Sequence, residues 1–163
     1  MKKSLMLGAL AMVLGAGSLS AAEIKRYPLP GGSTFPISSA VEVDGTVYQS
    51  GMVPAPKDAK APKGSAAYWG DTEVQTLSVL SRIEASLKEK GLGMGDVVKM
   101  TAFLVGDPAK GGHMDFEGFM KGYTQYFGTK EQPNLPSRSA VQIAGLAGAG
   151  MLVEIEVIAV RPK

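Results

Sequence analysis

The sequence predicts a single α+β domain whose sheet carries two helices on one face. Three observations predict it. Asp44-Gly45 stands between two alternating apolar runs, the mark of a tight two-residue hairpin. Two stretches, Asp71 to Gly91 and Asp115 to Phe127, repeat their apolar residues every three or four positions, as amphipathic helices do. The last, Leu135 to Val160, holds two strand patterns around a glycine-rich bend at Gly145 to Gly150. Two helices cover one face of such a sheet, and a chain this short has none left for the other.

Taken in order, Lys2 and Lys3 precede an apolar run from Leu5 to Gly15, and Ser20-Ala21-Ala22 offers the small residues of a cleavage site. The run is too short for a stable bilayer span. Residues 1–22 therefore read as a signal peptide removed after Ala22, and 23–163 as one exported domain, periplasmic or secreted, with no membrane anchor. Glu23 to Pro36 is rich in Pro and Gly and reads as an extended lead-in rather than an element. Ser39 to Val43 and Thr46 to Ser50 form the first hairpin, and Gly51 after it permits close approach of a ligand or another backbone. Met52 to Gly70 is a long loop with Tyr68-Trp69 at its far end, aromatic residues that lid a pocket, pack across a subunit contact or pin the loop to its own core.

Asp71 or Thr72 caps the first helix, with Val74, Leu77, Leu80, Ile83 and Leu87 as its apolar positions and Glu84-Lys88 as an exposed pair. Asp96 to Val105 reads as a strand with Val98, Met100, Ala102 and Leu104 on one face. His113, the single histidine, reads as an exposed loop residue, and its isolation leaves no metal-ligand spacing. The second helix starts at Asp115 and carries Phe116, Phe119, Met120, Tyr123 and Phe127 as a core stripe. Gly118 and Gly122 weaken it intrinsically, so packing must hold it.

Composition closes off several classes of function. Without Lys2 and Lys3 the chain keeps 15 basic side chains against 15 acidic ones, which opposes a broad nucleic-acid surface. Zero cysteines exclude disulfides and thiolate chemistry. No phosphate-cradling glycine loop, G-x-S-x-G elbow or Ser-His-Asp set is present. What remains is anion recognition with carboxylate-assisted water chemistry, needing no cofactor or metal. Pro136 ends what precedes it, so Arg138 stands at a strand's mouth, where a charge contributes little to packing. Its planar five-donor fork suits a carboxylate. If the two strands of Leu135 to Val160 pair as a hairpin, Glu154 or Glu156 lies within one substrate's length of it. A salt-bridged sheet surface is the alternative reading of the same residues.

Pro136-Ser137-Arg138-Ser139-Ala140-Val141-Gln142-Ile143-Ala144-Gly145-Leu146, followed by Val153-Glu154-Ile155-Glu156-Val157-Ile158-Ala159-Val160, resembles the C-terminal signature of the Rid family, the reactive-intermediate deaminases. Tyr48 to Pro54, Gly91-Leu92 with Asp96 to Lys99, and Asp115-Phe116 with Tyr123 and Phe127 extend the similarity over nearly the whole mature chain. The resemblance implies a chorismate-mutase-like fold, a homotrimer, and hydrolysis of small 2-imino acids to 2-keto acids and ammonia. It implies Arg138 as the substrate-carboxylate residue and Glu154 as the water-associated one. Ser50 and Gly51 match its strand-end pocket residues, and Ala140 a position whose backbone contacts ligand. Ile37 stands where the family often has tyrosine and Met120 where many members have asparagine, which makes the pocket more apolar. Two competing functions are a non-catalytic carboxylate-binding module at the same cleft and the endoribonuclease or translation-inhibitor activity also attached to this family.

Overall fold

The structure, a computed structural model, describes residues 21–162. The expected leader thus lies, apart from Ala21 and Ala22, outside the described residues. Six strands form one sheet: β1 (Ile24–Pro28), β2 (Ser38–Val43), β3 (Thr46–Met52), β4 (Val97–Val105), β5 (Ser137–Ile143) and β6 (Val153–Val160). Their spatial order is β1-β2-β3-β6-β4-β5. Only β4 and β5 pair in parallel among these neighbours, so the sheet is mixed. Among the described residues three α-helices accompany it: α1 (Ala66–Trp69), α2 (Thr72–Glu89) and α3 (Phe116–Tyr123).

Local chemistry explains the elements that the sequence announces. Asp44 and Gly45 take φ of 48° and 81°, the doubly positive pair that lets β2 turn straight into β3. Asp71 Oδ1 accepts from the Val74 N–H at 2.9 Å and caps α2, and Asp115 Oδ1 accepts from the Gly118 N–H to cap α3. The core lies between the helices and one sheet face. Val79, Leu80, Ile83 and Leu87 of α2 meet Met100, Ala102 and Leu104 of β4 and Val153 and Ile155 of β6 there, all fully buried. Each such side chain contributes about 1.5–3 kcal/mol by leaving water. The α2 and α3 backbones approach closely where α3 has glycine: a Cβ on Gly122 would stand 2.8 Å from Thr76 Cβ. Close packing is therefore the reason for the residues that weaken α3.

The structure corrects five expectations. Glu23 to Pro36 contains a strand, β1, paired antiparallel to β2. As an edge strand with Tyr27 as its one half-buried side chain, it carries no alternating apolar signal. The two strands of Leu135 to Val160 are not a hairpin, because β4 runs between them. The bend between them crosses the end of β4, with Val105 N–H donating to Leu152 O and Leu152 N–H to Gln75 Oε1. Val98 is exposed: a bulge between Val97 and Lys99 turns Val97 to the core instead. In α2 the buried stripe runs through Val79 as well, while Val74 and Leu77 are half-buried. The Met52 to Gly70 loop contains α1, whose Tyr68 and Trp69 are buried; Trp69 Nε1 donates to Ala149 O at 2.8 Å and pins the glycine-rich bend.

No helix among the described residues packs on the opposite face of the sheet. Ile24, Tyr48, Val141 and Val160 are each at least 42% exposed there, together with Glu154 and Glu156 of β6 and Lys99 of β4.

Candidate active site

Arg138 lies on β5 opposite Met100 of β4, so its side chain leaves the sheet on the helix side, beneath α3. Its guanidinium carbon stands 4.3 Å from the Tyr123 ring centroid, 5.1 Å from Phe119 and 5.7 Å from Phe116. Nη1 also donates to Met120 Sδ at 3.2 Å. No carboxylate among the described residues pairs with it. Aromatic faces attract the cation and hold it in place without neutralising it. Arg138 is therefore packed as well as charged, unlike the bare strand-mouth charge expected from sequence. Burial raises the Tyr123 phenol pKa, which the Arg138 charge partly opposes, and the ring stays neutral around physiological pH. A cavity of about 440 Å³ opens beside the guanidinium, bounded by Met120, Tyr123, Thr124, Leu135 and Pro136. An unpaired fork facing an open, largely apolar cavity is suited to a small carboxylate.

A larger groove of about 540 Å³ lies far along the sheet at Tyr27, Glu42, Lys90 and Arg161. Two of its three cations already have polar partners: Arg161 forks onto both Glu42 oxygens at 3.0 Å, and Lys90 Nζ donates to Ser86 O and Oγ, while Lys25 lies over the Tyr27 ring. The smaller cavity at Arg138 is the better candidate because its cation is unspent.

The remaining predicted residues fall into two groups. Ala140, opposite Ala102, and Met120 share Arg138's side of the sheet. Glu154 lies opposite Phe103 on the uncovered face, and its carboxylate rests against Gly51, whose added Cβ would stand 2.1 Å from Oε1. Ser50 beside it donates from Oγ to Ser38 O at 2.8 Å. Glu156 is exposed on the same face, opposite Thr101, in a groove with Tyr48 and Lys99. Ile37 is exposed just ahead of β2. Within one chain, then, Arg138 and Glu154 are separated by β4 and emerge on opposite faces, contrary to the hairpin geometry.

His113 is exposed, as expected. Among the described residues no group of three or more His, Asp or Glu side chains is placed to share a metal ion. Sequence reasoning assigned Phe116, Phe119 and Tyr123 to the core alone and missed that they cradle Arg138. Phe116, which the periodicity puts in the core stripe, is instead 42% exposed at the first turn of α3.

Comparison with known proteins places the chain in a family. A family model described as Endoribonuclease L-PSP matches residues 32–161, and the chain belongs to that family, the Rid family of the sequence resemblance. A RutC family protein from Synechocystis is 33% identical over 137 residues, covering 84% of this chain and 92% of the relative. TdcF of Escherichia coli strain K12, described provisionally as a reactive intermediate deaminase, is 31% identical over 140 residues, covering 85% and 95%. The crystal structure of E. coli TdcF with bound serine superposes with a TM-score of 0.62 at 30% identity, covering 88% of this chain and 99% of that one. The fold is the chorismate-mutase-like α+β arrangement.

Proposed function

We propose that the protein hydrolyses small 2-imino acids, tautomers of reactive enamines, to 2-keto acids and ammonia. The observation that carries this reading is Arg138, a guanidinium held by three aromatic rings beside an open cavity with no carboxylate partner among the described residues. It takes the substrate carboxylate in a bidentate grip. The imine carbon is already electrophilic, so positioning a water suffices. Glu154 orients that water, accepts its proton as the C–O bond forms and passes it to the imine nitrogen, giving a carbinolamine; it then moves the hydroxyl proton to the amine, the C–N bond breaks, and ammonia leaves as the carbonyl forms. The provisional description of TdcF and its structure with serine support a small amino-acid-like ligand.

Because Arg138 and Glu154 leave opposite faces of one chain, the site is completed between chains. Arg138, Met120 and Ala140 of one subunit meet Ser50, Gly51 and Glu154 of its neighbour in a homotrimer that covers the helix-free face. Its apolar side chains there, from Ile24 to Val160, favour such burial. The protein acts after export, with residues 1–22 removed.

The deciding experiment couples the purified protein to an amino-acid oxidase or a threonine dehydratase, which release 2-imino acids, and follows keto-acid formation. Acceleration over the uncatalysed rate is expected. Glu154→Gln is expected to lower kcat by about 10² while ligand still binds, and Glu156→Gln to change little. Ligand binding without any acceleration would instead support a non-catalytic carboxylate-binding protein. Light scattering is expected to give a trimer mass, and a monomer at micromolar concentration would sink the shared site.

A further inference from the structure

We infer that Met120 is a site of reversible oxidation whose sulfoxide shuts off anion binding at Arg138. This rests on the reading of Arg138 as the carboxylate site. The chain has nine methionines and no cysteine, so thioethers are its only oxidisable sulfur. Met120 differs from other methionines in its placement. It is half-buried and lines the cavity, and its Sδ accepts from Arg138 Nη1 at 3.2 Å. Met52, Met114 and Met151 are half-buried as well but do not line this cavity, and Met100 and Met94 are 0% and 5% exposed in the core. Any oxidant small enough to enter the cavity meets Met120 there.

The chemistry is a two-electron oxygen transfer. A sulfur lone pair attacks a peroxide oxygen, the O–O bond breaks, an S–O bond forms, and the second oxygen leaves as water. Sulfur is oxidised and the peroxide reduced. A thioether is a weak acceptor that leaves the guanidinium fork available. The sulfoxide oxygen is a strong one, set on an atom that Nη1 already addresses, so the oxidised side chain captures the fork and competes with an incoming carboxylate. Sulfoxide reduction by a thiol-dependent reductase reverses the change.

The test exposes the purified protein to dilute hydrogen peroxide and locates added oxygen by peptide mass spectrometry. Calorimetry with serine measures anion binding, and phenylglyoxal labelling measures the freedom of the Arg138 guanidinium. Met120 is expected to gain oxygen before Met94 and Met100. Serine affinity is then expected to fall about tenfold or more, the cost of losing one charge-assisted contact. Labelling of Arg138 should slow in step, and methionine sulfoxide reductase should restore both. Met120→Leu sets its own starting affinity, which peroxide is expected to leave unchanged. Equal peroxide loss in Met120→Leu, or oxidised Met120 with undiminished Arg138 labelling, would overturn the inference. If untreated protein fails to bind serine, the carboxylate reading falls, while the labelling arm still decides whether oxidised Met120 ties up the guanidinium.

Discussion

The carboxylate of Glu154 occupies the space that a side chain on Gly51 would need: a Cβ there would stand 2.1 Å from Oε1. The two residues sit on neighbouring strands at the point where the β3–β6 register slips, between Gln49 and Met52. Gly51 has no positive φ, so its backbone does not require glycine, and the constraint comes from Glu154 alone. Gly51→Ala is therefore expected to fold with a stability within about 1 kcal/mol of the parent, because the obstructing atom ends a flexible side chain. It must nevertheless push the carboxylate aside. Imine hydrolysis is expected to fall at least about tenfold, since misplacing a proton-transfer group by an ångström is costly. Parent activity in a folded Gly51→Ala protein would remove Glu154 from the mechanism.

Arg138→Ala removes both the anion grip and a packed side chain. Loss of its contacts with Tyr123, Phe119 and Phe116 is expected to cost roughly 1–2 kcal/mol of stability, at the upper end for half-buried cation–π contacts. Carboxylate binding is expected to weaken by about 2–5 kcal/mol, the range for a desolvated charge partner. Arg138→Lys keeps the charge without the fork and should fall between the two. Calorimetry with serine beside urea unfolding separates these effects. A lysine variant that binds as well as the parent would show that charge alone suffices.

At Gly122 two effects oppose each other. Alanine improves helix propensity by about 1 kcal/mol. Its Cβ, however, would meet Thr76 Cβ and Cγ2 at 2.8 Å and Glu73 O at 3.2 Å, and backbone and branched atoms of α2 cannot swing away. Overpacking of this kind costs roughly 1–3 kcal/mol, so Gly122→Ala is expected to be net destabilised by urea titration. A more stable variant would mean that α2 and α3 separate readily.

Stability at low pH is expected to drain through Glu42. Hydrogen bonds from Arg161 and then Tyr27 hold its carboxyl below the ordinary carboxylate value, against the opposing effect of burial. The folded state therefore binds fewer protons than the unfolded chain just below that ordinary value. The stabilisation is complete above it and is lost as pH falls through the lowered folded value. The urea midpoint of the parent should drop more steeply across this acid window than that of Glu42→Gln, which starts lower at neutral pH. Parallel curves would place the acid sensitivity elsewhere.

Features that depend on near neighbours can be read from the order of the amino acids. Asp44-Gly45 can close a two-residue turn, Asp71 and Asp115 can cap helices, and the 3.6-residue stripe of Ile83 and Leu87 can bury only one way, because turns, caps and periodicity act over a few residues. The stretches around Arg138 and Glu154 read as strands for the same reason. Tertiary structure alone decided that β4 enters between β5 and β6, that Glu23 to Pro36 yields an edge strand, and that Val97 rather than Val98 turns inward. It also decided that Arg138 and Glu154 face opposite sides of the sheet, with Tyr123 cradling one and Gly51 making room for the other. Strand order is set by pairing between segments tens of residues apart, and period-two alternation reads the same whichever strand lies alongside; only the competition among all six strands for partners and for cover by α2 and α3 selects one arrangement.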